Sequence, residues 1–495
     1  MIEIRNNPHT YEINLMTWLN DLSHRENQVF NLRNIPRKEW RYLKALGMDL
    51  VWLMGMWERS PDSKARARRE PGLIDECAKI LKDFEIKDII GSPYAIHDYR
   101  PDSTFGSFED LSALKNTLEE EGLGLILDFV PNHTACDHPW IIEHPDRYIQ
   151  SRPNPAGCRK GFFAFGDPPG HKCFAHGKDP YFPPWSDTAQ INYERHDTLE
   201  SMSETLINLA EYCHGFRCDM AMLILKDIFL ETWSTYLDNA ADMEEFWPFV
   251  IDRLRNSGVQ CKLMAEVYWG KEETLIEYGF DYVYDKHLYD LMNEGNIGKI
   301  KAYISMPPEK QVKLIRFLEN HDEERAIRTF GTERIKCAMV IHATLPGMRF
   351  WNHGQFEGRH HRVPVQLRRA PHEDSKSDLF SFAETLLNQV DHPVFHEGSF
   401  KMCPTHGWAD NESHVNLMAW SWEVKKERRL IVVNFSPHSA RGYVTLSKDW
   451  VPTENKLVCR DPIKEALFHR IPAEIAKKGL YIALESGDFH FFIIE

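Results

Sequence analysis

Long apolar runs are missing from this 495-residue chain, and no stretch approaches the roughly 20 residues that a membrane-spanning helix needs. The amino terminus, MIEIRNNPHTYEINLM, lacks both a basic leader and a continuous apolar segment, so a cytoplasmic, reduced protein is expected. Cysteine motifs are missing too: ten cysteines are scattered without one C-x-x-C pair. Cys158 and Cys173 lie near His171 in a loop-rich stretch where a zinc site is conceivable, yet without ligand spacing free thiols are the expectation. Neither H-x-H nor H-E-x-x-H occurs, which speaks against a metal hydrolase. Basic charge is in short supply, with 59 Lys and Arg against 74 Asp and Glu and a net charge of −15. That balance argues against nucleic acid as a partner and for a neutral substrate. The one basic run, Lys64 to Arg69, reads as a solvated loop and is assigned no role. Solenoid repeats and low-complexity segments are absent as well.

What the chain does contain is material for a large core. Hydrophobic residues make up 42% and aromatics 12%, including fourteen Trp, most of which should fill the interior. Short apolar or β-branched runs ending in polar residues alternate with amphipathic stretches, the pattern of a parallel sheet with helical crossovers. Eight such runs are found: Tyr11 to Thr17, Asp49 to Trp57, Gly124 to Val130, Gly215 to Ala221, Cys261 to Tyr268, Phe280 to Asp285, Leu314 to Asp322 and Gly347 to Gln355. Helices are expected over Pro36 to Leu46 and Phe108 to Glu121, the second with Leu111, Leu114 and Leu118 on one face. The reading is α/β, a (β/α)8 TIM barrel over 1–130 and 196–395. A loop-rich subdomain, 131–195, is inserted after the third strand, and a C-terminal antiparallel β-sandwich occupies 396–495. Aromatics of the insert, Phe162, Phe163, Phe165, Tyr181, Phe182 and Trp185, could stack on a ligand, although at least half should pack the lobe itself.

A barrel of this kind gathers its chemistry at the carboxyl ends of its strands. The residues that fall there are Asp128, Asn132 and His133 after the third strand and Arg217 and Asp219 on the fourth. Glu266 ends the fifth, and His321 and Asp322 end the seventh. On a strand Arg217 and Asp219 share a face, and a carboxylate beside a fixed guanidinium remains ionised. Converging carboxylates suit glycosidic cleavage, which needs a nucleophile or base and a protonated acid.

The segments DFVPNH, GFRCDMA, AEVYW and ENHD, in this order, resemble the four sequence regions of the α-amylase family of glycoside hydrolases, and the likeness extends over nearly the whole chain. The resemblance implies that Asp219 is the nucleophile, Glu266 the general acid and base, and Asp322 the carboxylate that holds the distorted sugar. It further implies that Arg217 fixes Asp219, that Asp128 orients Arg217, and that His133 and His321 bond the sugar over a Tyr94 platform. Tyr268 and Trp269 would give Glu266 apolar cover. No cofactor is required, with a structural calcium at Asn132 as a possibility. Two departures stand out. Met222 and Leu223 occupy positions where many starch-cleaving members carry Lys and His, so the acceptor site should differ. Gly91 stands where members that trim single units often carry Asp. The expected function is a retaining α-glycosidase acting on short oligosaccharides or small-aglycone glucosides. The alternatives are a transglycosidase using the same glucosyl-Asp219 intermediate, or a non-catalytic sugar-binding protein. Sugar, aglycone, endo or exo action and oligomeric state stay open.

Overall fold

The computed structural model describes residues 2–152, 157–166, 171–452 and 456–495. Eight strands close into a parallel barrel: β1 (His9–Asn14), β2 (Leu50–Met54), β3 (Gly124–Phe129), β4 (Gly215–Cys218), β5 (Lys262–Ala265), β6 (Tyr282–Tyr284), β7 (Leu314–Arg316) and β8 (Met348–Asn352). Each pairs with its neighbours in sequence, and β8 returns to β1 with His9 opposite Arg349. All eight expected strands are present. They are shorter at the carboxyl end than the apolar pattern suggested, because chain beyond Cys218, Ala265 and Arg316 leaves the ladder to carry the polar residues of the mouth.

Local signals account for the crossovers. Pro36 caps the helix Arg37–Ala45, whose missing amide would be unsatisfied there in any case. Ser107 and Asp110 form a capping box at the start of Phe108–Glu120, which buries Leu111, Leu114 and Leu118. Lys64 to Ala67, expected as loop, lies within the short helix Pro61–Ala67, with Ser60 capping its amino end and Arg66 bonded to Asp62.

Between β3 and the helix His196–Leu209 the chain makes short two- and three-stranded sheets, among them the hairpin of Phe162–Phe165 with Lys172–Ala175. That hairpin brings Cys158 beside Cys173, their Cα atoms 5.5 Å apart and their sulfurs joined in a disulfide, which corrects the expectation of free thiols. Spacing in the sequence concealed the bond, since it is the antiparallel pairing of Phe162–Phe165 with Lys172–Ala175 that accompanies the approach of two cysteines 15 residues apart. His171 lies within the same cluster, but the joined sulfurs offer no thiolate to a metal.

After the helix Ser377–Val390 the chain forms a six-stranded antiparallel sheet and a three-stranded sheet. Alternation along two of its strands divides their side chains between two cores. Leu417, Ala419, Leu430 and Val432 face the smaller sheet, whereas Met418, Trp420, Trp422, Ile431 and Val433 join the barrel's own core. The indole N–H of Trp422 donates to the Thr344 carbonyl (2.7 Å) and that of Trp420 to the Thr344 hydroxyl (3.2 Å), at the end of the helix Ala326–Thr344.

Since Trp422 is completely buried at this junction, Trp422→Ala is expected to lower the unfolding free energy by about 3–5 kcal/mol. Urea denaturation followed by fluorescence measures it, and a loss below about 1 kcal/mol would mean that barrel and sheet do not share a core.

Candidate active site

The centre of the barrel mouth is one guanidinium. Arg217, on β4 and buried to 1% exposure, donates from Nη1 to Asp219 Oδ1 (2.6 Å) and sets Nη2 against Glu266 Oε2 (2.7 Å). A carboxylate on β4's own extension and another at the end of β5 therefore meet across a single cation. The span of one guanidinium and two short contacts keeps these oxygens inside the limit of about 9.5 Å for paired glycosidase carboxyls. Below and beside the cation lie Trp52, Tyr94 and Tyr284, their ring centres 5.1, 5.4 and 5.7 Å from it, and Arg217 Nε donates to the Tyr284 hydroxyl (3.3 Å). Aromatic faces and fixed acceptors thus replace the water that a buried guanidinium loses.

Glu266 is held on both oxygens. The Met220 amide donates to Oε2 and the Tyr268 hydroxyl to Oε1, each at 2.8 Å. Expected as apolar cover, Tyr268 instead offers a hydrogen bond, and Trp269 points into an adjoining cavity with 38% of its surface exposed. Burial pushes the Glu266 carboxyl above its ordinary range; Arg217 pulls the other way, and Asp219 and Asp322 add to the rise. Burial also raises Asp219, against the pull of Arg217. Asp322 behaves differently. Burial pushes its carboxyl up, but the charge and hydrogen bond of the neighbouring His321, with help from Arg217, outweigh that and draw it down to about 2.

His321 sits between carboxylates. Its Nδ1 is 2.6 Å from Glu12 Oε1, and its Nε2 is 3.0 Å from Asp322 Oδ2 and 2.8 Å from the Tyr94 hydroxyl. With an acceptor at each nitrogen the ring carries both protons; burial opposes this, but Asp322 and Glu12 hold its pKa well above the ordinary 6.5. The Tyr94 ring stacks on it, centroids 5.5 Å apart. His133 is the opposite case. Burial depresses it to about 4, so it is neutral near pH 7, and its Nε2 is buried without a hydrogen-bond partner among the described residues.

Two expected roles change. Asp128 lies beside Arg217 in the β3–β4 register but turns its oxygens to the Trp52 indole (3.1 Å) and the Gly55 amide (2.8 Å). Both oxygens are therefore engaged by other donors, and Asp128 is coupled to Arg217 by charge rather than by a hydrogen bond. Met222 and Leu223 are buried in the turn Ala221–Ile224. The possible calcium at Asn132 finds little support. Its side-chain oxygen accepts from the Gln190 amide (3.1 Å), and no cluster of three carboxylate, His or Cys ligands forms around it among the described residues. Calcium requires several hard oxygen donors, usually with carboxylates among them. Gly91 is sterically fixed, at φ 91° with the place of a Cβ 2.9 Å from the Lys64 amide nitrogen, which leaves no room for an Asp.

Sequence reasoning missed Glu12, Trp52 and Tyr284. Glu12 was legible in principle, as a carboxylate inside the apolar strand YEINLM; it is fully buried, and its Oε2 has no partner among the described residues.

Replacing Glu12 by Gln should return the His321 pKa toward 6.5. A His whose pKa is raised on folding stabilises the protein fully below its unfolded pKa and loses that contribution as pH rises through the folded one. The stability deficit of Glu12→Gln is therefore expected to be largest below about pH 6.5 and to shrink at higher pH. Denaturation across pH 5–9 measures it, and a pH-independent deficit would exclude the charged pair.

The family model described as Alpha amylase, catalytic domain, matches residues 32–380. Among curated proteins, the chain is 25% identical over 291 residues to Alpha-amylase 3 of Dictyoglomus thermophilum, covering 54% of each. It is 24% identical over 360 residues to an Alpha-glucosidase of Culex pipiens, covering 64% of this chain and 57% of that protein. The chain thus spans little more than half the length of these relatives. A maltogenic alpha-amylase, AmyB, from Thermotoga neapolitana shares the fold at a TM-score of 0.67 with 18% identity, over 98% of both chains. Eight-stranded closure, the carboxylate pair at its mouth and the match over 32–380 agree, and the chain belongs to the alpha-amylase family of glycoside hydrolases.

Proposed function

We propose that this protein is a retaining α-glycosidase that cleaves α-glucosidic bonds in short oligosaccharides or in glucosides with a small leaving group. The observation that supports it most is the contact of one buried guanidinium with both Asp219 and Glu266. In this reading a protonated Glu266 delivers its proton to the glycosidic oxygen as that bond breaks. Asp219 attacks the anomeric carbon, forming a glucosyl ester. Water, deprotonated by Glu266, then attacks the same carbon, releasing the sugar with its original configuration and restoring Asp219. Asp322 and imidazolium His321 bind ring hydroxyls, His133 offers its free Nε2, and the Tyr94 ring forms the floor. Three carboxyls stand against one guanidinium and one imidazolium, and this excess of negative charge favours retention of a proton by Glu266. The curated relatives bear both alpha-amylase and alpha-glucosidase names, which supports a glucan or glucoside substrate without choosing between them.

Proton NMR of products formed from a neutral α-glucoside tests the reading: the α-anomer is expected first, and initial β-anomer overturns it. Glu266→Gln should lower kcat/KM by about a hundredfold to ten-thousandfold, and Asp219→Asn should abolish accumulation of the ester. Because the acid's carboxyl is raised, kcat/KM should fall as pH rises through a value above the ordinary 4.5 of a glutamate. Accumulation of new glycosides on adding an acceptor alcohol, in place of free sugar, would instead identify a transglycosidase. Among the described residues no group of three Asp, Glu, His or Cys ligands gathers at Asn132, so activity is expected to survive EDTA unchanged, and loss restored by added calcium would contradict that expectation.

A further inference from the structure

Of the ten cysteines, Cys158 and Cys173 are joined to each other and the other eight are free, seven of them buried. His171 stands two residues before Cys173, and the ligand atoms of the three side chains all lie within 4.8 Å of one another. Both ring nitrogens of His171 are shielded from solvent, and neither has a hydrogen-bond partner among the described residues. An imidazole deprived of water and of partners is destabilising, and disulfide sulfurs are poor substitutes for either. The oxidised cluster therefore leaves one of its three members unsatisfied.

Opening the disulfide changes what the cluster can bind. A dithiol supplies two electrons and two protons: its own sulfurs join, the Cys158–Cys173 bond breaks, and each cysteine becomes a thiol. A divalent metal ion then displaces both protons, and two thiolates and one imidazole face it. That set is too soft for calcium or magnesium and suits tetrahedral zinc, with water in the fourth place. Zn–S bonds of about 2.3 Å and a Zn–N bond of about 2.0–2.1 Å at tetrahedral angles set the donor atoms roughly 3.5–3.8 Å apart. Those separations fall inside the 4.8 Å that already encloses the three groups, so the strands need not rearrange.

The place of the cluster gives a staple something to do. Cys173 lies on the hairpin of Phe162–Phe165 with Lys172–Ala175, and Cys158 lies just ahead of it. Strands of four residues in so small a sheet are marginal alone. Phe162 reaches Tyr236, in the crossover after β4, with ring centres 5.0 Å apart, and Phe163 stacks on His176 at 4.9 Å. Next in the chain, Gly177 passes so close to His133 that a Cβ on it would sit 3.0 Å from the His133 Cβ. The hairpin thus backs a segment that packs against a residue of the mouth.

We propose that Cys158, His171 and Cys173 form a zinc site in the reduced protein and that the disulfide replaces the ion on oxidation, so that the hairpin is stapled in either redox environment. None of the three belongs to the catalytic set, so this assignment stands apart from that of Asp219 and Glu266.

The test compares the full chain reduced with a phosphine and desalted without oxygen against the oxidised chain. The probes are zinc, titrated in competition with a chromophoric chelator, and cobalt(II), whose absorption reports thiolate ligation and tetrahedral geometry. Reduced protein is expected to take up one zinc per chain and oxidised protein none, the second acting as the control for the eight free cysteines. His171→Gln can still form the disulfide, so it separates metal binding from folding. It should weaken zinc binding by about tenfold or more, at least the loss that removal of an outer-shell partner causes. Cys158→Ser and Cys173→Ser should each lose the site. Trypsin gives a second readout, because Arg159 and Lys160 are exposed just after Cys158. Cleavage there should be fastest in the reduced, metal-free chain, and zinc at ten times its Kd should slow it about tenfold. Zinc uptake by reduced wild type no greater than by the oxidised form, or undiminished in His171→Gln, would overturn the assignment and leave a disulfide alone. Cleavage indifferent to zinc would overturn the staple.

Discussion

Sharing Arg217 between Asp219 and Glu266 is the constraint around which the mouth of the barrel is arranged. Burying a cation so completely is unfavourable unless its charge and every N–H are met, and here two carboxylates, a tyrosine hydroxyl and three aromatic faces meet them. Those same partners belong to β2, β4, β5, β6 and the loop that carries Tyr94. The cation therefore draws separate segments into one geometry, and the energy of holding it contributes to placing the reactive groups. Trp52 is fixed in turn by Asp128, which ties the floor of the site to a side chain that never touches the guanidinium.

A second charge centre lies opposite. His321 is clamped between Glu12 and Asp322, so it presents a positive donor where a neutral imidazole would offer only one proton. One histidine is charged and the other, His133, is neutral, so environment alone separates two residues of the same type.

Much of this was legible in the sequence. The eight strands announce themselves because a parallel barrel buries both faces of each strand, and catalytic side chains follow their carboxyl ends by rule. Asp219, Glu266, Asp322, His321 and Arg217 come together as expected. Strand ends were read too long, since apolar residues such as Phe317 and Leu318 stay buried after leaving the ladder. That Asp128 bonds to Trp52 and Gly55 was not legible, because strand register gives proximity to Arg217 but not the direction in which a carboxylate turns. Glu12 was overlooked for a related reason: a single acid in an apolar strand declares its partner only when the barrel closes and brings β1 beside β8 and the loop after β7. The Cys158–Cys173 link was hidden because composition does not reveal which strands pair.

The division of Trp420 and Trp422 from Leu417 and Ala419 has a bearing on how this molecule can be handled. One face of the C-terminal sheet serves as the outer wall of the barrel's interior, with both indoles anchored to Thr344. A clipped chain ending near residue 395 would leave that interior uncovered, a greasy flank facing water beneath the helix Ala326–Thr344. The carboxyl-terminal fifth of the polypeptide is thus a lid on the hydrophobic interior of the barrel, and shortening it would expose a surface prone to aggregation.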